Sequence, residues 1–178
     1  MSKKTNIHPI FFRNPQKEIA VREFARLQSV SPSTASAYLS DLSRQGILVL
    51  RKERNLLLYR AHSDSDIYKD AKRYDTIQRI RNSGLLAYLQ SELQQPEAIF
   101  LFGSYAKAEN TSQSDIDIFI VSRAKKKIHL EAYEKKLHAP IQLFIHAPEE
   151  IKEIKKTNPH LLNNVLNGVR LSGFWEVF

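Results

Sequence analysis

An alternating run in the second half of the chain constrains the fold more than any other feature. The run is Asp115-Ile116-Asp117-Ile118-Phe119-Ile120-Val121. In a β-strand, residues two apart point to the same side, so Asp115 and Asp117 share one face and the isoleucines share the other. The run therefore predicts a strand with a buried isoleucine face and two carboxylates on the opposite face.

Two carboxylates held this close repel each other unless solvent, a proton or a cation lies between them. Oxygen ligands of this kind suit Mg²⁺ or Mn²⁺. An Asp-x-Asp pair also occurs at many exposed strand edges, so the pair needs a second feature before it indicates a metal site.

That second feature lies immediately upstream. The run Glu97–Phe102 has the composition of a buried strand and leads into Gly103-Ser104, and ten residues separate Ser104 from Asp115. Glycine lets the backbone approach a phosphate, and the serine hydroxyl and the N–H groups of the following turn can hold it. The spacing predicts a phosphate-binding turn that faces a metal-binding carboxylate pair on the neighbouring strand.

The segment LFGSYAKAENTSQSDIDIFIV resembles the signature of minimal nucleotidyltransferases of the DNA polymerase beta superfamily. The resemblance implies an α/β domain over residues 96–178, with a mixed sheet flanked by helices. It assigns Gly103 and Ser104 to a nucleoside triphosphate, with ATP expected, and Asp115 and Asp117 to the divalent metal as the catalytic pair. The implied reaction is transfer of a nucleoside monophosphate to a hydroxyl acceptor on protein or RNA, with release of pyrophosphate.

Three further positions bear on that resemblance. Lys107 stands where the signature often has a basic residue, and it is either a phosphate ligand or an exposed lysine. Active members usually add a third carboxylate on the next strand, and Gln142 matches that position here. An amide oxygen can ligate a metal but is a poor base, so Gln142 puts catalysis in question. His146, with an ordinary pKa of about 6.5, is a candidate base, but it lies about 13 Å farther along the strand.

The first third of the chain has a different organisation. Val21–Gln28 has helical apolar spacing, and a second helix over about 32–45 starts after Ser31, which can cap it. Gly46 ends that helix, and two β-prone runs follow around a basic tip, Arg51–Asn55. The stretch VREFARLQSVSPSTASAYLSDLSRQGILVLRKERNLLLYR resembles the winged-helix domains of prokaryotic regulators.

This second resemblance implies a winged helix-turn-helix that binds DNA, over residues 1–62. Small side chains on the second helix can enter a major groove, and basic residues of the wing can contact phosphates. The predicted DNA contacts are Ser33, Thr34, Ser36, Arg44, Lys52 and Arg54. The alternative is a winged helix used for protein contacts or dimerisation, and a homodimer would also suit two DNA half-sites.

A charged helical connector is predicted between the two domains, over residues 63–95. Charge follows the same division, since residues 1–62 carry 11 Lys/Arg against 4 Asp/Glu and residues 63–178 carry 16 against 15. A basic excess confined to the first third favours a polyanionic partner there. The chain has no cysteine, which excludes thiolate metal sites and thiol nucleophiles. Its apolar runs are too short to cross a bilayer, so we expect a cytoplasmic protein without membrane contact.

The sequence leaves three functions open. The first is a metal-dependent nucleotidyltransferase with an attached DNA-binding domain. The second is a transcriptional regulator that senses nucleotide without turnover, which Gln142 favours. The third is an antitoxin that nucleotidylates a partner toxin, because such antitoxins have similar Gly-Ser and Asp-x-Asp spacing.

Overall fold

The protein is described here by a computed structural model over residues 7–176, which form two compact units that divide between Lys72 and Arg73. The first unit contains α1 (Ile10–Arg13), β1 (Ile19–Ala20), α2 (Val21–Gln28), α3 (Pro32–Arg44), β2 (Leu48–Glu53) and β3 (Leu56–Ala61). Its three strands form an antiparallel sheet in the order β1-β3-β2. The helix α4 (Asp66–Ser83) begins in this unit and ends in the second.

An aromatic core holds the helices of the first unit together. The Phe24 ring stacks against Phe11 and Tyr38, with ring centroids 5.9 and 5.3 Å apart. Leu39 and Leu42 of α3 are fully buried in the same core. The periodic apolar residues of α2 and α3 are therefore the ones that pack, and the polar residues between them face solvent.

The helix α3 begins where the sequence predicts it. Ser31 has extended backbone, and its Oγ accepts a hydrogen bond from the Thr34 N–H at 3.1 Å, while Pro32 occupies the first helical position. Gly46 follows α3 with a φ of +75°, a left-handed conformation that favours glycine after a helix. The cap and the stop together account for both ends of α3.

The hairpin turn is tighter than the sequence predicts. The strand β2 extends to Glu53, so only Arg54 and Asn55 form the turn, whereas the predicted tip began at Arg51. The Arg51 guanidinium donates to both carboxylate oxygens of Glu18, at 2.7 and 2.6 Å, and to Glu53 at 2.8 Å. These pairings compensate the charge and let the strand continue through a basic segment.

The second unit is an α/β domain. Its elements are the end of α4, α5 (Leu85–Glu92), β4 (Ala98–Phe102), α6 (Gly103–Lys107), β5 (Ile116–Val121), α7 (Glu131–Leu137), β6 (Ile141–His146), α8 (Pro148–Thr157), α9 (Pro159–Leu166) and β7 (Val169–Gly173). The strand order is β6-β5-β4-β7, with β5 parallel to β6 and β4 antiparallel to both β5 and β7. This mixed sheet flanked by helices confirms the predicted fold class.

Apolar cores cover both faces of this sheet. Ile116, Ile118 and Ile120 of β5 join a core that includes the leucines of α5, as the alternating run predicts. Phe119 and Val121 point the other way, into a second core that includes residues of α8 and α9. The strand is therefore buried on both sides over most of its length, and its carboxylates lie only at its beginning.

The sequence predicts a helix over about residues 127–138, but the segment before Glu131 is irregular. Lys125 and Lys126 instead form ion pairs with Glu150 and Glu92, which belong to other helices. These tertiary contacts hold the segment in an irregular conformation, and α7 begins only at Glu131.

The strand β7 is not predicted from the sequence. Its approach to β4 depends on Gly168, where a Cβ would lie 3.2 Å from the Phe102 Cβ and closer still to the Leu101 carbonyl oxygen. Within residues 7–176, every helix is too short or too polar to span a bilayer.

Candidate active site

Gly103 joins β4 to α6 and lies directly against the Asp117 side chain. A Cβ on Gly103 would be 3.1 Å from the Asp117 Cγ and closer still to its Oδ2, so only glycine leaves room for the carboxylate. The backbone φ of Gly103 is +68°, which also favours glycine. The two halves of the predicted motif therefore meet in space.

Strand pairing brings the Gly-Ser turn and the Asp-x-Asp pair together. In the antiparallel pair of β4 and β5, Phe102 is the partner of Asp117. The residue after Phe102 consequently lies at the start of β5, beside the carboxylates. The Gly-Ser turn and the Asp-x-Asp pair lie at the same end of these two strands, because β4 ends where β5 begins.

The two carboxylates interact electrostatically. Partial burial raises the pKa of Asp117 above its ordinary value, and the negative charge of Asp115 raises it further. Asp115 precedes β5 by one residue and is exposed. The ionised form of Asp117 is thus less favourable than that of a free side chain, a bound cation would offset this, and the available donors are all oxygen atoms. This donor set fits one hard divalent cation such as Mg²⁺ or Mn²⁺.

Gln142 occupies the place next to this pair. In the parallel pair of β5 and β6, Gln142 is the direct partner of Asp117, and its side chain is exposed. Over residues 7–176, no group of three or more His, Asp or Glu side chains is arranged to hold a metal ion. The carboxylate pair therefore has an amide as its neighbour where a third acid would stand.

His146 is not part of this constellation. It pairs with Val121 at the far end of the two strands, and its ring lies 5.4 Å from the Phe119 ring. Burial lowers the pKa of His146, Glu150 acts in the opposite direction, and Lys125 lowers it further. A histidine four residues along the strand from Gln142 is too far away to act as base for a group held by Asp117.

The remaining residues of the predicted phosphate turn belong to α6. Ser104 lies in its first turn, half-buried, and its carbonyl accepts a hydrogen bond from the Glu109 N–H at 2.9 Å. Lys107 is its last residue and is exposed. Ala108 follows with a φ of +60°, a left-handed conformation that favours glycine.

Sequence reasoning assigned no role to Tyr105 and Asn110, which lie beside the site. The Tyr105 hydroxyl is hydrogen-bonded to the Asn110 side chain. Burial raises the pKa of Tyr105, Arg79 opposes that shift, and the nearby charge of Asp115 adds to it. The pair connects α6 to the loop that carries Asp115. The only signal in the sequence is a large aromatic residue directly after Gly-Ser.

The predicted DNA contacts all lie at least partly at the surface of the first unit: Ser33, Thr34, Ser36, Arg44, Lys52 and Arg54. The hydroxyls of Ser33 and Thr34 are each 2.8 Å from the Ser31 Oγ. Arg44 forms an exposed ion pair with Asp41 at 3.2 Å. Several of these groups therefore already have partners within α3.

Comparison with known proteins identifies the second unit. A family described as polymerase beta, nucleotidyltransferase matches residues 83–172, just over half of the chain. The matched region runs from the end of α4 into β7 and includes Gly103, Ser104 and both aspartates. No curated protein and no solved structure matches the chain.

Proposed function

The chain belongs to the polymerase beta nucleotidyltransferase family, and on this premise we propose that it binds a nucleoside triphosphate together with Mg²⁺ or Mn²⁺. We further propose that it transfers the nucleoside monophosphate to a hydroxyl acceptor. The acceptor oxygen forms a bond to the α-phosphorus, the bond to pyrophosphate breaks, and the hydroxyl proton passes to solvent water. ATP is the expected substrate, and the acceptor belongs to a protein or an RNA.

The close packing of Asp117 against Gly103 carries this proposal. Gly103 and Ser104 would receive the triphosphate, and Lys107 would contact it from the end of α6. Asp115 and Asp117 would hold the cation, which neutralises phosphate charge and orients the α-phosphate when bound. A cation held between the two carboxylates would offset the repulsion by Asp115, which adds to the effect of burial on the pKa of Asp117.

Gln142 favours a second candidate, a nucleotide-sensing protein without turnover. Its place beside Asp117 in the β5–β6 register puts an uncharged amide where a base and a third ligand would act. The amide oxygen would still accept a cation contact, so binding would persist. Proton removal from an acceptor hydroxyl would lack a carboxylate base.

Direct binding measurements test the shared part of both candidates. We expect ATP with Mn²⁺ to bind the wild-type chain in calorimetry and to bind Asp115→Asn and Asp117→Asn at least tenfold more weakly. Glu109→Gln is the matched control, since Glu109 is an exposed acid of the same loop, and it should bind as the wild type does. Wild-type protein that binds no nucleoside triphosphate would refute both candidates.

A label-transfer assay separates the transferase function from the nucleotide-sensing function. Incubation with α-labelled ATP, Mn²⁺ and protein or RNA acceptors should give labelled acceptor if the chain is a transferase. A Gln142→Asp variant should raise the transfer rate, because it places a third carboxylate beside Asp117. If nucleotide binds but neither wild type nor Gln142→Asp transfers label, the sensing function is the correct one.

We propose DNA binding for the first unit, with residues 1–62 as a winged helix-turn-helix, residues 63–95 as connector and 96–178 as the nucleotidyltransferase domain. The order α2, turn, α3 and a two-stranded hairpin supports this. The exposed side of α3, including Ser33 and Ser36, would enter a major groove. Lys52 and Arg54 would contact phosphates from the hairpin.

A further inference from the structure

Two arginines of α2 line a surface cleft in the first unit. Arg22 and Arg26 are four residues apart, which places them on the same side of the helix. The cleft has a volume of about 640 Å³ and is lined by Arg22, Ala25, Arg26, Ser29, Val30 and Pro32. It therefore lies between the outer side of α2 and the start of α3.

The charges of these arginines are not compensated within the first unit. Over residues 7–176, neither Arg22 nor Arg26 forms a salt bridge or a hydrogen bond through its side chain, and both are exposed. Two other arginines of the unit differ, since Arg44 pairs with Asp41 and Arg51 pairs with Glu18 and Glu53. The lining of the cleft contains no acidic residue.

A phosphate diester is the group that best suits such a cleft. The planar guanidinium donates two parallel hydrogen bonds to phosphate oxygens, and it does so more specifically than a lysine would. The Ser29 hydroxyl adds a further donor at the cleft wall. Pro32 borders the cleft and directly precedes Ser33, the first of the α3 residues with a predicted DNA contact.

We infer that Arg22 and Arg26 bind the phosphate backbone of duplex DNA beside the groove that α3 enters. This inference rests on the proposed DNA binding of the first unit. It gives α2 a share of the sequence-independent affinity beside Lys52 and Arg54 of the hairpin, because Arg44 and Arg51 already have acidic partners. Phosphate contacts position a protein on DNA without reading its sequence.

Salt dependence of DNA binding provides the test. Each phosphate contact by a cation changes the slope of log K against log salt concentration by about 0.9 for duplex DNA. Fluorescence anisotropy with the full chain and two labelled duplexes of unrelated sequence gives that slope. The double variant Arg22→Gln, Arg26→Gln should show a slope smaller by about 1.8 on both duplexes.

A double variant of the second unit, Arg81→Gln with Lys135→Gln, controls for the loss of two positive charges, because both residues are exposed. The slope for this control variant should change by much less than about 0.9, the value expected for one phosphate contact. A wild-type chain that binds neither duplex would refute the DNA-binding function itself. Wild-type binding with a slope that Arg22→Gln, Arg26→Gln leaves unchanged would overturn only the role of the cleft, and an acidic protein would then be its better partner.

Discussion

Replacement of Gly103 by alanine tests the contact on which the active site depends. Alanine at a φ of +68° costs about 1–2 kcal/mol in the left-handed region. The new Cβ would also displace the Asp117 carboxylate, and forcing a side chain away from its rotamer costs about 0.5–1.5 kcal/mol. We therefore expect Gly103→Ala to lower the free energy of unfolding of the second unit by about 2–3 kcal/mol.

Gly84→Ala supplies the matched control. Gly84 has a φ of +84°, and a Cβ there would meet no atom within 4 Å. Only the backbone cost of about 1–2 kcal/mol applies to it. Trp175 is the single tryptophan and lies in the second core of this unit, so its fluorescence in urea, in metal-free buffer, reports the unfolding of the second unit.

A double-mutant cycle isolates the contact with Asp117. In an Asp117→Ala background, the nearest atom to a Cβ at position 103 would be the Cβ at position 117, at an ordinary 3.4 Å. The cost of Gly103→Ala should then fall to that of Gly84→Ala, which gives a coupling energy of about 1 kcal/mol. The reasoning is refuted if Gly103→Ala costs no more than Gly84→Ala, or if its full cost persists without the Asp117 carboxylate.

Two further predictions concern single side chains. Asp117→Asn should stabilise the metal-free protein at pH 7 by less than about 1 kcal/mol, because burial and Asp115 raise the pKa of Asp117 while solvent screens its partly exposed carboxylate. Asp117 takes up a proton at higher pH in the native state than in the unfolded state, so the stabilisation by Asn should shrink on acidification and vanish below about pH 3.8, the ordinary pKa of aspartate. Urea unfolding of both proteins at a series of pH values measures this difference in stability. A difference that grows on acidification would contradict the reasoning. Ser31→Ala should cost about 1 kcal/mol because it removes the side-chain cap of α3. Hydrogen exchange at the Thr34 amide should become faster, since that N–H loses its acceptor. Ser33→Ala removes no backbone hydrogen bond at this cap and should leave that exchange unchanged.

The sequence predicts the strand geometry around Asp117 because the signals for it are local. The alternation around Asp117 determines both the strand and the face of its carboxylate, and the faces observed for Ile118 and Phe119 follow from the same period of two. The match of Gln142 to the missing third acid also follows from strand pattern, and the observed β5–β6 register places it beside Asp117.

Features that depend on distant residues were not predictable in the same way. The strand β7 contains Arg170 and ends at Gly173, and its pairing with β4 across about 70 residues, not its own composition, makes it a strand. The two residues of β1 likewise become a strand only by pairing with β3. Which of the two carboxylates packs against Gly103 depends on the register of β4 and β5, which no local pattern encodes.

The position of Gln142 beside Asp117 also has an evolutionary consequence. Glutamine and glutamate are nearly the same size, and their codons differ by one nucleotide. Since the side chain at this place is exposed at the edge of the sheet, one point mutation would exchange amide for acid without any change of backbone. On the proposed function, this one change would convert a nucleotide-sensing form into a transferase while the fold stayed the same.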